Sequence, residues 1–319
     1  MNQAKPVRRV VWGTVLGVVT AAGLGGGLAV SAPLTHDTTD DKDTGRAATV
    51  TVAVAGDLCG SACNQTAPVV KSMNPQAVLT AGDNAYDSGS LSEFRNKYDP
   101  HWGQFSKVVH PSPGNHEYRT SGAKGYFDYY GGKGVHVGER GKGYYSFDLG
   151  DWHLVALNSN LGSSADKAQR EWLAKDLGAS TKPCTMAYWH HPRFSSGDHG
   201  DQTTMSSHYK ILTDHRADVV VAGHDHHYER FAPAMADGRK DEANGLRQFV
   251  IGTGGRALYS KTTSSKGPSE VFHNRTFGVG RFDLSATGYE FTFRPVDGRT
   301  FTDSVSGTCH SKSGARQGS

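Results

Sequence analysis

The chain has 319 residues, 36% of them hydrophobic and 20% charged, enough for one large domain or two ordinary ones with a real core. Its formal charge is +3, but Lys5, Arg8 and Arg9 lie in a leading segment without acidic residues, so the remainder is close to neutral. No later stretch concentrates Lys or Arg, which excludes the electrostatic footprint of a nucleic-acid scaffold, and 40 glycines argue for a loop-rich enzyme rather than a helical bundle.

Residues 1–32 read as an export signal: the three basic residues, an uncharged run from Val10 to Val30, then small residues at Ser31 and Ala32. The run is also long enough for a membrane anchor, for which about 20 residues suffice. Its breaks at Gly13, Gly17, Gly23 and Gly25 to Gly27 suit a cleaved segment better. The Arg8-Arg9 pair raises twin-arginine export as a route. The expected product is secreted or held at the cell surface, with no stable membrane association after cleavage. Residues 33–48, containing "HDTTDDKDTGR", have almost no apolar content and read as a disordered linker.

The folded part is expected from Thr49. "TVTVAVAGD" and "AVLTAGDN" are apolar runs that both end in Gly-Asp, and Thr66 to Met73 between them has the spacing of a short helix. The pattern continues through "KVVHPSPGNHE", "WHLVALNSN", "CTMAYWHHP", "ADVVVAGHDHH" and "QFVIGTGG", each an apolar run opening into a polar or glycine-rich turn. Asp166 to Leu177 reads as a helix with Trp172, Leu173 and Leu177 on one side. "GVGRFDLSATGYEFTFRPVDG" alternates and turns at Ala286-Thr287-Gly288 as a hairpin would. This order predicts a mixed α/β fold in which sheets pack face to face and are covered by helices. Residues 311–319 read as a flexible tail. Four cysteines in an exported chain suggest disulfides, and Cys59 with Cys63 and Cys184 with Cys309 is the expected pairing among three possible ones.

The chemistry sits where apolar strands end. In order, the polar ends carry Asp57; Asp83 with Tyr86; Asn115 with His116; His190 with His191; and His224 with His226. A single Gly-Asp is most often a turn, and a single strand-end histidine is ordinary. Five successive strand ends bearing oxygen or imidazole donors are not, because loops beyond the carboxyl ends of strands converge on one place. Together these donors complete two coordination spheres, one carboxylate bridging two ions.

The set "GDLC", "GDNAY", "GNHE", "YWHHP" and "GHDHHYER" resembles the calcineurin-like metallophosphoesterases and, within them, the purple acid phosphatase branch. Many members of the family carry a histidine two residues after the first aspartate; here that position is Cys59, and Tyr86 stands three residues after Asp83, where the branch has a tyrosine ligand. The resemblance implies a four-layer α/β/β/α sandwich with two mixed sheets, and a catalytic domain over residues 49–310. It implies one metal held by Asp57, Asp83, Tyr86 and His226, and a second held by Asp83, Asn115, His190 and His224. A phenolate is a hard donor suited to Fe(III), so the expected pair is Fe(III) with Zn(II), Mn(II) or Fe(II).

By the same resemblance the protein hydrolyses small phosphorylated substrates, namely phosphomonoesters, by attack of metal-bound hydroxide. His116 and His199 are its active-site histidines, although the branch has a second histidine where this chain has Gly200. His191 and His227 flank ligands and could orient them or be turn residues; Glu117 and Glu229 are expected in structural hydrogen bonds, and Asp225 is expected to point away from the metals. A phosphodiesterase acting on nucleotides or phospholipid head groups is the second reading, and a non-enzymatic cell-surface binding protein on the same fold the third.

Overall fold

The computed structural model describes residues 49–260 and 262–310. The export signal, linker and tail inferred above lie outside them. The strands are β1 (Val50–Ala55), β2 (Ala77–Ala81), β3 (Val109–Ser112), β4 (Tyr145–Leu149), β5 (Trp152–Ala156), β6 (Cys184–Tyr188), β7 (Val219–Ala222), β8 (Tyr228–Phe231), β9 (Arg247–Ile251), β10 (Ser269–His273), β11 (Gly278–Ser285), β12 (Gly288–Pro295) and β13 (Ser304–Thr308). The longer helices are α1 (Cys63–Met73), α2 (Lys124–Gly132), α3 (Ser163–Ala179) and α4 (Ser206–Asp214).

The strands form two mixed sheets, ordered β13-β12-β11-β1-β2-β3 and β10-β8-β9-β7-β6-β5-β4. Period-two alternation stacks them. Val52 and Val54 point into the space between the sheets with Met186, Tyr188, Val219, Val221, Phe249, Phe282 and Phe291. Ala53 and Ala55 face the other way, under α1 and an aromatic cluster that includes Phe94, Tyr98 and Tyr130. On the second sheet, Val155, Ala187, Val220 and Val250 face Leu173 and Leu177 of α3 and Tyr209 and Leu212 of α4. Helix, sheet, sheet, helix is therefore the layer order expected from the sequence. Each inner valine or phenylalanine removed from water contributes roughly 1.5–3 kcal/mol, so the two sheets hold one another through these side chains.

Both helices read from the sequence extend beyond their expected bounds. α1 starts at Cys63 rather than Thr66, and α3 runs from Ser163 rather than Asp166. α3 projects Gln169, Leu173 and Leu177 into the core, one residue per turn, while Trp172 stays partly exposed against Tyr144. The short helical turns over residues 91–105 have no counterpart in the sequence reading. No helix among the described residues is long and apolar enough to cross a membrane.

The expected Cys184–Cys309 disulfide is present. Cys59 and Cys63 are not bridged, which corrects the other expected pair: both are buried free thiols. Cys59 is pinned by a backbone bridge to Ala85, and the Cys63 thiol donates to the Lys97 carbonyl at 3.6 Å. Burial and the neighbouring Cys63 push the Cys59 thiol well up.

His153 ties the second sheet to α3. Its Nδ1 lies 2.8 Å from Asp148 and its Nε2 2.9 Å from Asp176. Burial opposes the imidazolium, yet the two carboxylates raise its pKa above the ordinary value. A raised histidine contributes stability that is complete below its unfolded pKa of about 6.5 and is lost as pH rises through the folded value. Urea midpoints should therefore fall as pH rises above about 6.5, and more steeply in the wild type than in His153→Gln. Parallel slopes in the two proteins would show that this triad contributes nothing.

Candidate metal centre

The carboxyl ends of β1, β2, β6 and β7 and the segment after β3 converge at one edge of the two sheets, and every donor named from the sequence lies there. Asp57, Asp83 and His224 have φ of 59°, 52° and 71°, a left-handed conformation uncommon for residues with a Cβ. Such backbone persists where its surroundings over-determine it, and functional sites are where it collects. Two contacts do that here. The His224 amide donates to Asp57 Oδ2 at 2.8 Å, and the His116 amide donates to Asp83 Oδ1 at 2.9 Å. Gly114 is required beside them, since a Cβ there would collide with the Asp83 carboxylate and its backbone nitrogen.

The donors fall into two groups that share one carboxylate. In the first, the Tyr86 hydroxyl lies 2.9 Å from Asp57 Oδ1, 3.0 Å from Asp83 Oδ2 and 3.3 Å from His226 Nε2. In the second, His190 Nε2 lies 2.9 Å from Asn115 Oδ1, 3.2 Å from His224 Nδ1 and 3.4 Å from Asp83 Oδ1. The two oxygens of Asp83 thus face different groups.

These separations suit coordination. Metal–oxygen and metal–nitrogen bonds of about 2.0–2.2 Å place adjacent ligand atoms roughly 2.8–3.6 Å apart in octahedral or tetrahedral spheres. The tautomers suit it as well. His190 Nδ1 donates to the Ala81 carbonyl at 3.0 Å and His226 Nδ1 to the Ala257 carbonyl at 2.8 Å, which aims each Nε2 at the donors, ready to offer its lone pair once a cation displaces the proton. His190 Nε2 and His224 Nδ1 then oppose lone pair to lone pair unless a cation or a proton stands between them.

Charge points the same way. Burial, and then the Asp57 and Asp83 carboxylates, raise Tyr86 well above its ordinary pKa, so a phenolate there needs a nearby cation. Burial disfavours the charged His190, but Asp83 and Asp57 lift it to about 9. Burial and the neighbouring His190 hold His224 far below its ordinary value.

The remaining residues are placed as follows. His116 stacks edge-on against Tyr86 at 4.4 Å, donates from Nδ1 to the Asp87 carbonyl at 2.6 Å and sets Nε2 3.7 Å from Asp83 Oδ2. Burial keeps its pKa low, with Arg119 adding to this against the pull of Asp83. His199 is exposed and stacks on His224 at 4.2 Å. His191 reaches the site too, 4.3 Å from the His224 ring, with its Nδ1 2.7 Å from Ser159 Oγ. His227 turns away, to Glu229 at 3.0 Å and the ring of Phe272.

Three acidic residues near the motifs organise loops. Glu117 accepts from the amides of Gly114, Asn84 and Asp83 at 2.7, 2.9 and 3.0 Å, and burial, then Asp83, raises it to about 7. Glu229 accepts from the Ser196 amide at 2.8 Å. Asp225 accepts from the His199 amide at 2.9 Å and from the Ser195 hydroxyl, so it points away from the donors and fixes the loop that carries His199.

Two side chains at the site carry no sequence signal. The Tyr259 ring stacks on His226 at 4.0 Å with its hydroxyl 3.4 Å from His199 Nε2, and the Arg256 guanidinium lies 4.8 Å from the Tyr86 ring centroid. Both belong to the loop after β9, where only the glycines of "GTGG" stood out.

Comparison with known proteins identifies the family. Residues 50–228, more than half of the chain, match the family model described as calcineurin-like phosphoesterase. The chain is 32% identical over 149 residues to purple acid phosphatase 21 of Arabidopsis thaliana, covering 44% of this chain and 34% of that one. It is 27% identical over 256 residues to probable purple acid phosphatase 20 of the same plant, covering 72% and 57%. It spans from about a third to just over half of the length of the curated relatives it matches first.

Among solved structures, a purple acid phosphatase from yellow lupin (Lupinus luteus) seeds superposes with a TM-score of 0.68 at 18% identity, over 82% of this chain and 54% of that one. GAP50, described as the anchor in the inner membrane complex of Plasmodium, superposes with a TM-score of 0.61 at 14% identity, over 83% and 89%. The fold is thus shared by an enzyme and by a protein described as an anchor, so the donor set has to carry the functional argument.

Proposed function

The chain belongs to the calcineurin-like phosphoesterase family, and from that premise we propose that it is a purple acid phosphatase-like hydrolase of phosphomonoesters, working with two metal ions. The observation that carries this reading is the shared carboxylate: Asp83 presents one oxygen to Tyr86 and the other to His190. The first ion is assigned to Asp57, Asp83, Tyr86 and His226, the second to Asp83, Asn115, His190 and His224. A set with a phenolate, two carboxylates, one amide and three imidazoles suits Fe(III) beside Zn(II), Mn(II) or Fe(II).

When bound, such a pair supplies positive charge that lowers the pKa of a water and offsets charge on phosphoryl oxygens. The protein's own part is to position and to exchange protons. Asp57 and Asp83 set the negative charge of the site, and the carbonyls of Ala81 and Ala257 hold His190 and His226 in the tautomer that offers Nε2. His116, its Nδ1 tied to Asp87, directs Nε2 toward the donors and is assigned to contact the phosphoryl group, whose negative charge would favour a proton taken from solvent on Nε2, and to hand that proton to the leaving oxygen. His199, held by Asp225 and stacked on His224, is assigned to the opposite margin.

Residues 49–310 are taken as the catalytic domain and residues 1–32 as an export signal. The Cys184–Cys309 bridge supports an oxidising, extracytoplasmic location.

Purified protein loaded with iron and a divalent metal should hydrolyse an aryl phosphate faster than its bis-aryl diester. It should absorb visible light through a tyrosinate–Fe(III) transition that vanishes in Tyr86→Phe. A diester preference would move the protein to the phosphodiesterase reading, activity in a colourless, iron-free protein would sink the branch assignment, and inertness of the metal-loaded protein toward both esters would leave the non-enzymatic reading.

A further inference from the structure

The margin opposite His116 carries a polar group that the hydrolysis described above leaves without a role. Tyr259 lies with its ring on that of His226, 4.0 Å apart and 18° from parallel, while its amide donates to the His226 carbonyl at 3.1 Å. Its own carbonyl accepts from Asn274 Nδ2 at 2.9 Å. His199 lies in the same way on His224, 4.2 Å apart and 24° from parallel. His226 belongs to the first donor group and His224 to the second, so one stacked ring stands on each, and the two meet where the Tyr259 hydroxyl comes 3.4 Å from His199 Nε2.

At that separation the two atoms are further apart than in a well-made hydrogen bond. They are spaced instead like two donors that share one acceptor, since an anionic oxygen about 2.8 Å from each would lie across the gap. A phenol donates from its hydroxyl, and an imidazole in the tautomer protonated at Nε2 donates from that nitrogen. Both side chains are open to solvent, His199 exposed and Tyr259 half-buried.

The spacing is fixed from behind, because the loop that carries His199 is stitched to the segment that follows Tyr259. Thr263 gives its amide to the Ser196 carbonyl and its hydroxyl to the Gly197 carbonyl, each at 2.8 Å. Asp201 takes the Ser195 and Lys266 amides at 3.0 and 2.9 Å. Gly200 allows the approach: its φ is 68°, and a Cβ there would sit 3.3 Å from Thr263 Oγ1. Donors held in this way meet negative charge without having to reorganise.

We propose that Tyr259 is a further substrate-contacting residue, whose hydroxyl and His199 Nε2 donate together to one oxygen of the bound phosphoryl group. The hydroxyl acts as a neutral donor and keeps its proton throughout. The ring packs on His226 and the hydroxyl meets the substrate, so Tyr259→Phe removes the second function and keeps the first.

The inference rests on the phosphatase reading for the presence of a phosphoryl group, and its test is separable from it. Inorganic phosphate would be titrated by calorimetry into protein loaded with iron and a divalent metal, for the wild type, Tyr259→Phe, His199→Ala and the double variant, with metal content measured after each titration. Tyr259→Phe should bind phosphate about tenfold more weakly, the loss of one hydrogen bond to a charged group, with its metals retained. His199→Ala should lose a comparable factor. The double variant should lose less than the product of the two, because groups that share a partner are not additive.

Phosphate affinity in Tyr259→Phe within about twofold of the wild type, well short of that loss, would overturn the contact, and so would losses that multiply in the double variant. Metal loss in Tyr259→Phe would overturn it too, since the hydroxyl would then serve the donors and not the substrate. A protein that hydrolyses aryl phosphate and keeps its phosphate affinity in Tyr259→Phe retains the phosphatase reading and loses this one. A protein inert toward phosphate esters that still shows the coupled losses loses the first and keeps the second.

Discussion

Asp83→Asn should lower kcat/KM for an aryl phosphate by about a thousandfold or more and leave the purified protein with less than its full complement of both metals. Removing a partner that merely orients a ligand costs roughly 10–100-fold in metal affinity or activity. Asp83 does more than that, because its two oxygens face Tyr86 and His190 at 3.0 and 3.4 Å, and a single change therefore touches both donor groups. Asparagine keeps the shape and one oxygen but surrenders the charge and replaces the second oxygen with a donor.

The same substitution should also weaken the metal-free fold. Asp83 is fully buried, yet His190 and His116 hold its carboxyl below the usual carboxylate range and it in turn lifts His190, so removing one member of the pair leaves the other buried and unpaired. Metal content by mass spectrometry, kcat/KM and the melting temperature of the metal-free protein should therefore all fall. A variant that keeps both metals and stays within tenfold of wild-type kcat/KM would refute the bridging role.

This arrangement was readable in the sequence for a physical reason. Parallel strands such as β1, β2, β6 and β7 are buried on both faces, so they appear as apolar runs whose ends are sharp. The donors sit in those ends and in chain order. Asp57, Asp83, Asn115, His190, His224 and His226 could therefore be picked out one strand end at a time.

Where burial is one-sided or irregular, the signal fades. β13 has alternating exposure at the edge of its sheet, and β4 is half-exposed at the edge of the other. The turns over residues 91–105 pack Phe94 and Tyr98 against Tyr126, Tyr129 and Tyr130 without a helical period long enough to recognise. Arg256 and Tyr259 reach the site only because the loop after β9 folds back over Asp57 and His226, with the Arg256 amide on the Asp57 carbonyl and the Tyr259 amide on the His226 carbonyl. No local pattern in a sequence encodes such a return. The Cys59–Cys63 pairing failed for a related reason, since spacing along the chain says nothing of how the Cys59 backbone is bridged to Ala85 while Cys63 opens a helix and its thiol turns to the Lys97 carbonyl.

The bridge that did form should matter as much to stability as Asp83 does to turnover. Cys309→Ser is expected to lower the unfolding free energy by about 2–5 kcal/mol, the usual loss for a native disulfide, because the bridge closes a long loop in the unfolded chain. The two cysteines are 125 residues apart, and in the fold they join β6 of one sheet to the end of β13 in the other. The Cys309 amide also holds the β11–β12 turn through the Thr287 carbonyl at 2.9 Å. The bridge therefore clamps the sandwich at the start of the strand that delivers His190 at its far end, where the donors lie.

Urea titrations of wild type and Cys309→Ser, each with and without reductant, would resolve the contribution. If Cys184–Cys309 is the protein's single bridge, reductant should bring the wild type to the stability of the variant and leave the variant where it was. A further loss when the variant is reduced would mean that Cys59 and Cys63 are joined in solution after all, and a wild-type loss below about 0.5 kcal/mol, under the usual range, would mean that packing between the sheets holds β13 in place without the bridge.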